Sequence, residues 1–152
     1  MNLLHRYRIP LLPLVLGAAL ALPARDTPAS EYSSAVSTTL LLRTTTDVAG
    51  TPLVYPAGTA EVTGVLVELP PGAETGWHRH TAPCFAYILS GEIAVTQQNG
   101  PTRTFRAGEA FAELVNLEHN GRTVGDAPVR LVFFAAGTQG QPFTQRSGET
   151  QP

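Results

Sequence analysis

The sequence contains no lysine, so its ten basic residues are all arginine. A mechanism that requires a lysine Schiff base or a lysine general base is therefore excluded. The chain has one cysteine, Cys84, and cannot form an internal disulfide. Charge is also scarce, because charged residues make up 14% of the chain and the formal net charge is -2. Without a basic excess, nucleic acid is not expected as a partner.

The sequence also lacks an apolar run long enough to span a bilayer with ease. Its apolar segment, Ile9 to Leu22, is shorter than the ~20 residues that a membrane helix needs. Arg6 and Arg8 precede this segment, and small residues at its end allow cleavage after Ala21. We therefore predict that residues 1–21 are a signal peptide and that the processed protein is periplasmic or secreted, with no stable membrane span. An uncleaved membrane anchor is the alternative.

The rest of the chain has room for one domain. Its hydrophobic content of 43%, with 14 glycines and 13 prolines, is typical of short strands joined by turns. We expect a flexible leader over residues 22–38, one all-β domain over 39–137, and a loosely held polar tail over 138–152. No convincing amphipathic helix of a dozen residues is found.

Alternating and β-branched segments, separated by turn residues, predict antiparallel strands in a sandwich or barrel. The Asn99-Gly100 pair indicates a hairpin between two of them. The predicted strand segments are Thr39–Thr46, Thr51–Gly58 (a strand edge with turns), Val62–Leu69, Trp77–His80, Cys84–Leu89, Ile93–Gln97, Thr102–Arg106, Ala110–Val115 and Val129–Ala135.

The clearest chemical signal is the sequence His78-Arg79-His80. Side chains two apart on a strand point to the same face, so both imidazoles can reach one metal ion, while Arg79 points away from it. Imidazole is a ligand suited to Zn, Cu, Fe and Ni. A histidine pair alone is weak evidence for a metal site, and its surroundings decide the interpretation.

Those surroundings resemble the two motifs of the cupin superfamily. The first motif has a glycine, a His-x-His pair, a glutamate and a second glycine at fixed spacing, and the second has a glycine followed by a histidine. The spacing is met throughout, and the similarity covers roughly residues 39 to 136. The residues that match are Gly72, His78, His80 and Gly91 in the first motif and Gly108 and His119 in the second. The sequence departs from the motifs at Cys84 (for Glu), Leu114 (for Pro), Asn116 (for Gly) and Thr123 (for Asn).

The resemblance implies a jelly-roll-like antiparallel β-barrel in which His78, His80 and His119 hold one divalent transition metal, either Fe, Mn, Zn, Ni or Cu. Cys84 stands where the family has its glutamate ligand, so the fourth ligand is open. Cys84 itself is one candidate, and a small buried hydrophobe is its other interpretation. Glu113 is the second candidate, because a carboxylate in an apolar segment is costly to bury without a cation. We favour Glu113, and also consider it the candidate catalytic carboxylate.

Several functions fit such a site, because cupins include dioxygenases, isomerases, sugar-modifying enzymes and binding proteins. The leading hypothesis is a metal-dependent enzyme, an oxygenase or related oxidoreductase, that acts on a small organic substrate. The alternative is a non-catalytic periplasmic sensor or binding protein for metal or a small ligand. A copper electron carrier that uses two histidines and Cys84 is the third. We also predict a homodimer that pairs through Thr39–Thr46.

Overall fold

A computed structural model describes Ser33 and residues 35–148. The predicted signal peptide lies outside the described residues, as does most of the predicted leader. In the described part, all regular structure is β, and no helix there is long and apolar enough to cross a membrane. The strands are β1 (Ala60–Leu69), β2 (His78–His80), β3 (Cys84–Ser90), β4 (Glu92–Gln97), β5 (Thr102–Arg106), β6 (Ala110–Ala112), β7 (His119–Thr123), β8 (Val129–Thr138) and β9 (Thr144–Arg146).

The described strands form two antiparallel sheets. The four-stranded sheet has the order β1-β8-β3-β6, and the five-stranded sheet has the order β5-β4-β7-β2-β9. Neighbours in each sheet are often distant in sequence, as in β1 with β8 and β2 with β9, which is typical of jelly-roll connections. The predicted all-β, antiparallel cupin barrel is confirmed.

The core lies between the inner faces of the two sheets. Strand alternation places Cys84, Ala86 and Ile88 of β3 inside, opposite Ile93 and Val95 of β4. At one end of the core, the rings of Phe105 and Phe111 stack with centroids 3.7 Å apart. The histidines extend this buried interior, since His80 and His119 are both buried.

Two asparagines in turns have a left-handed backbone. Asn99 has a φ of 57° in the β4–β5 turn, which confirms the predicted hairpin. Asn116 has a φ of 58° at a position where the cupin motif has glycine. Asparagine is among the few residues other than glycine that adopt this left-handed backbone readily. The replacement of glycine by Asn116 therefore leaves the second motif's turn intact.

Two strand predictions are wrong. Residues 39–46 form no strand, and Thr46 makes only an isolated bridge with Pro52, which is the extent of pairing in the segment 51–58. β-branched composition did not produce a strand here, because none of the strands that the structure describes pairs with residues 39–45. Leu40 of this segment is 57% exposed.

The described part of the predicted tail, residues 138–148, also contains regular structure that we did not predict. β8 continues to Thr138, and residues 144–146 form β9 along the edge of β2. Phe143, just before β9, packs against the hydrophobic core. The polar composition of the tail concealed this strand, because its pairing depends on the open edge of β2 rather than on an apolar pattern of its own.

Candidate metal centre

The three predicted histidines meet in the structure. His78 and His80 lie on the same face of β2, and His119 begins β7 directly opposite His78 in the antiparallel register. One ring nitrogen of each histidine lies within 4.8 Å of the other two. The ring centroids are 4.3 to 5.0 Å apart, so the imidazoles form a compact triangle that could hold a metal ion.

Each histidine uses its Nδ1 atom for a contact outside the cluster. His78 Nδ1 lies 2.8 Å from the Gly76 carbonyl oxygen, and His119 Nδ1 lies 2.8 Å from the Leu117 carbonyl oxygen. A carbonyl oxygen can only accept, so Nδ1 carries the proton in both rings. Nε2 of a neutral ring is then a free lone pair, which is the state that a metal ligand needs.

His80 follows the same pattern through a side chain. Its Nδ1 lies 3.0 Å from Oγ1 of Thr144, which is directly opposite His80 in the β2–β9 register. A hydroxyl accepts this proton as well as a carbonyl does. β9 therefore orients a histidine of the site. In the sequence, the one indication of this strand is Phe143, an isolated aromatic residue in a polar tail.

Glu113 follows β6 and reaches the same cluster. Its Oε2 atom lies 3.2 Å from His119 Nε2 and 3.7 Å from His80 Nε2, and the residue is buried. Even so, His119 Nε2 is a buried nitrogen without a hydrogen-bond partner among the described residues. Glu113 is close to this atom but off the direction of a good hydrogen bond. A buried, unpaired nitrogen facing a carboxylate and two other imidazoles fits a metal ion.

The pKa values in the cluster are shifted by burial and by the charges of the neighbouring histidines and Glu113. Burial alone would raise the pKa of Glu113, but its contacts with His119 and His80 outweigh burial and lower it. Burial likewise favours neutral His119, yet the nearby Glu113 carboxylate and the Leu117 carbonyl raise the pKa of His119. The pKa of His78 is lowered, mainly by burial. Glu113 is thus held as a carboxylate, the form that binds a cation.

Cys84 lies outside the histidine group. It is fully buried in the hydrophobic core, and its Sγ atom donates a hydrogen bond to the Ala82 carbonyl oxygen at 3.3 Å. Burial, together with the charge of Glu113, raises the pKa of the Cys84 thiol and disfavours the thiolate that metal binding needs. Arg79 points away from the cluster as predicted, and its Nε donates to Gln145 Oε1.

The cluster opens into a cavity of about 240 Å³. This volume is below the ~300–1,000 Å³ typical of pockets for drug-sized ligands, so a small molecule fits it best. Most of the wall is aliphatic or aromatic, and the polar groups are concentrated around the histidines. The residues that line the cavity but were not predicted as site residues include Val65, Val67, Leu131, Phe133, Phe143 and Arg146.

Comparison with known proteins agrees with this fold. Residues 65–135 match the family model described as "Cupin domain". This segment runs from the middle of β1 into β8 and includes the three histidines and Glu113. The match, together with the antiparallel barrel, supports a cupin superfamily domain. The comparison with curated proteins finds no match.

Solved structures with a similar fold include two enzymes. DMSP lyase DddQ from Ruegeria pomeroyi DSS-3 aligns with a TM-score of 0.50 and 22% identity over 57% of this chain and 43% of that one. A mutant of Bacillus subtilis oxalate decarboxylase OxdC aligns with a TM-score of 0.50 and 20% identity over 57% of this chain and 24% of that one. The chain thus spans less than half the length of either enzyme, and the likeness is one of fold.

Proposed function

We propose that this cupin domain is a metal-dependent enzyme that acts on a small organic substrate, with an oxygenase or related oxidoreductase as the reaction class. The observation that carries the proposal is the unpaired, buried Nε2 of His119, which faces Glu113 and the other two histidines. A binding protein for apolar ligands has no need of such a group, because burying an unpaired polar atom costs free energy.

The proposed ligands are His78, His80, His119 and the carboxylate of Glu113, around one divalent transition ion. Glu113 is favoured over Cys84 because its Oε2 lies within 3.7 Å of two imidazole nitrogens, whereas Cys84 is packed in the core. Three imidazoles and an oxygen suit Fe, Mn, Zn, Ni or Cu. A copper electron carrier with a cysteine ligand does not fit this arrangement.

A metal bound there would supply Lewis-acid or redox chemistry with coordination positions open to the cavity. The protein's own groups define the rest of the reaction site. The apolar walls exclude water from around a bound substrate and strengthen electrostatic interactions there. Both short contacts of Glu113 involve Oε2, which leaves Oε1 to accept a proton from a substrate in the cavity. Glu113 is therefore the proposed catalytic carboxylate as well as a ligand.

Elemental analysis and an oxygen electrode test this proposal. Protein purified without added metal should contain one equivalent of a transition metal, and a screen of small organic compounds should reveal one whose addition starts metal-dependent oxygen uptake. His119→Ala protein is the control, since it should contain no metal and consume no oxygen. If the metal is present but no compound is converted, the chain is a binding or sensor protein, which is the alternative function.

We further propose that the protein is exported after removal of residues 1–21. The support is the pattern of two arginines, an apolar segment and small residues before the cleavage position. N-terminal sequencing of protein recovered from the producing cell should begin at Leu22. An intact Met1 on cytosolic protein would contradict export.

A homodimer is the proposed assembly. The outer face of the four-stranded sheet carries apolar side chains in register, since Gly64 pairs with Phe134 and Leu66 with Val132. Leu66 and Phe134 are 52% and 49% exposed, and Leu40, in the predicted pairing segment Thr39–Thr46, is 57% exposed. Contiguous exposed apolar surface of this kind marks interaction sites. Light scattering should give a dimeric mass that Leu66→Ser reduces to that of a monomer. A monomeric wild type would contradict the proposal.

A further inference from the structure

One wall of the cavity carries a positive charge that the proposed metal centre does not use. Among the described residues that line the cavity, Arg146 is the only lysine or arginine side chain. Most other lining residues are apolar, and the remaining ionisable ones belong to the histidine cluster and Glu113. The cavity therefore has a metal-binding end, an apolar body and one guanidinium.

The register of β9 explains how Arg146 comes to face the cavity. In the antiparallel pairing of β2 with β9, Arg146 is directly opposite His78 and Thr144 is directly opposite His80. Residues opposite each other in such a pair project from the same face. Thr144 contacts His80 on this face, so Arg146 emerges on it beside His78. Arg146 is exposed while His80 is buried, which places the guanidinium nearer the mouth.

The guanidinium of Arg146 has no protein partner among the described residues. Two other arginines on the strands are neutralised, since Arg106 pairs with Glu92 and Arg130 pairs with Glu68, both at 2.7 Å. No described carboxylate lies within 4.0 Å of Arg146, and no hydrogen bond satisfies its side chain. Five N–H donors thus remain available at the opening of a small apolar cavity.

We propose that Arg146 binds the carboxylate of a small organic acid whose apolar body fills the cavity and whose reacting part faces the histidines. This inference rests on the proposed function, because it names the substrate class of the same site. A planar guanidinium matches a carboxylate through two parallel hydrogen bonds. The mostly apolar wall of the cavity favours a singly charged acid with an apolar body, because burying the doubly charged phosphate would cost more free energy.

The test measures binding of benzoate and of its neutral counterpart benzamide by calorimetry to zinc-loaded protein. Arg146→Met should weaken benzoate binding about tenfold, because hydrogen bonds between charged groups are stronger than neutral ones, while partial exposure of this site to solvent weakens them. Benzamide binding should change less than about twofold, which shows that the variant is folded. Arg103→Met is the matched control, since Arg103 is exposed, has no ion pair among the described residues and does not line the cavity. Arg146→Lys should retain part of the benzoate affinity.

Three outcomes would overturn the inference. In Arg146→Met, the affinities for benzoate and benzamide could fall equally, or the benzoate affinity could stay unchanged. The wild-type protein could also show no preference for benzoate over benzamide, which includes binding neither. Unchanged benzoate binding would assign the carboxylate to the metal instead. The same titrations on protein from which a chelator has removed the metal separate the carboxylate-binding role of Arg146 from the proposed metal-dependent activity. Arg146-dependent benzoate binding without any affinity for zinc would retain this inference and reject the metal-dependent enzyme.

Discussion

The two sheets of the barrel differ in how they are held together and in what they carry. In the four-stranded sheet, β1 and β8 pair over ten residue pairs, from Ala60 with Thr138 to Leu69 with Val129. In the five-stranded sheet, β2 meets β7 at the single pair His78 and His119 and meets β9 at three pairs. The long β1–β8 ladder forms a scaffold, whereas His78 and His80 lie on the three-residue strand β2 and His119 lies on β7, which β4 holds through five residue pairs. Short ladders such as those of β2 contribute little stability of their own, so the geometry of the histidine cluster depends on the neighbouring strands.

The largest expected difference between the sheets is in metal affinity. His119→Ala removes one of three imidazole donors from the five-stranded sheet and should weaken zinc binding by more than the ~10–100-fold typical of losing an outer hydrogen-bond partner. Competition against a chromophoric chelator measures this affinity. Wild-type affinity in His119→Ala would show that the histidine triangle is not the metal site.

A substitution in the scaffold should lower the stability of the fold and leave metal binding unchanged. Ile88 of β3 is fully buried in the core. Ile88→Ala should lower the free energy of unfolding by about 2–5 kcal/mol, because it leaves a cavity in a packed interior. Urea denaturation measures this loss, and the zinc stoichiometry of the folded variant should stay at the wild-type value. Loss of zinc from folded Ile88→Ala protein would mean that scaffold and site are not separable.

A smaller effect is expected from the contact between the tail and the site. Thr144→Val keeps the shape of the side chain but removes the hydroxyl that holds His80 Nδ1. Zinc affinity should fall about tenfold, at the low end for an outer partner of a metal-bound histidine. Thr102→Val, in the hairpin pair with Thr96, is the control and should leave zinc affinity unchanged. Equal zinc affinities in the two variants would show that Thr144 of β9 does not contribute to the site.

The pH dependence of zinc binding should be the mildest of these effects. Contact with Glu113 raises the pKa of His119 even though burial would lower it. In the metal-free protein, His119 therefore stays protonated up to a higher pH than an ordinary histidine. Zinc has to displace this proton, so affinity should rise with pH, by at most about tenfold per unit, until the raised pKa is passed. The pKa of His78 is lowered, and this group adds no proton in that window. In Glu113→Gln, the rise of zinc affinity with pH should end at a lower pH. An unchanged dependence of zinc affinity on pH would contradict the effect of Glu113 on His119.

The sequence predicted those parts of the molecule whose pattern is local. The alternation in Val62–Leu69 and the turn residues Asn99-Gly100 each indicate one structure, and both predictions agree with β1 and the β4–β5 hairpin. The His-x-His pair on one strand face is equally local. Glu113 was a candidate because a carboxylate in an apolar segment needs a partner, and the structure places it beside two histidines.

What the sequence did not predict depends on partners far along the chain. β7 has the sequence HNGRT, whose Asn-Gly pair suggests a turn, yet β4 and β2 flank it and make it a strand. A Cβ on Gly121 would lie 3.0 Å from Ile93 Cδ1, so this glycine allows close packing rather than a turn. β9, with Thr144 and Arg146, likewise exists because β2 offers an edge.

Glu113, and not Cys84, is the residue that we propose completes a metal centre with the three histidines. Zinc titration of Glu113→Gln and Cys84→Ser in parallel tests it most directly, because the two substitutions change one candidate ligand each and keep its size. We expect a clear loss of zinc affinity in Glu113→Gln, with the affinity of Cys84→Ser close to wild type. Loss of affinity in Cys84→Ser with wild-type binding in Glu113→Gln would contradict it.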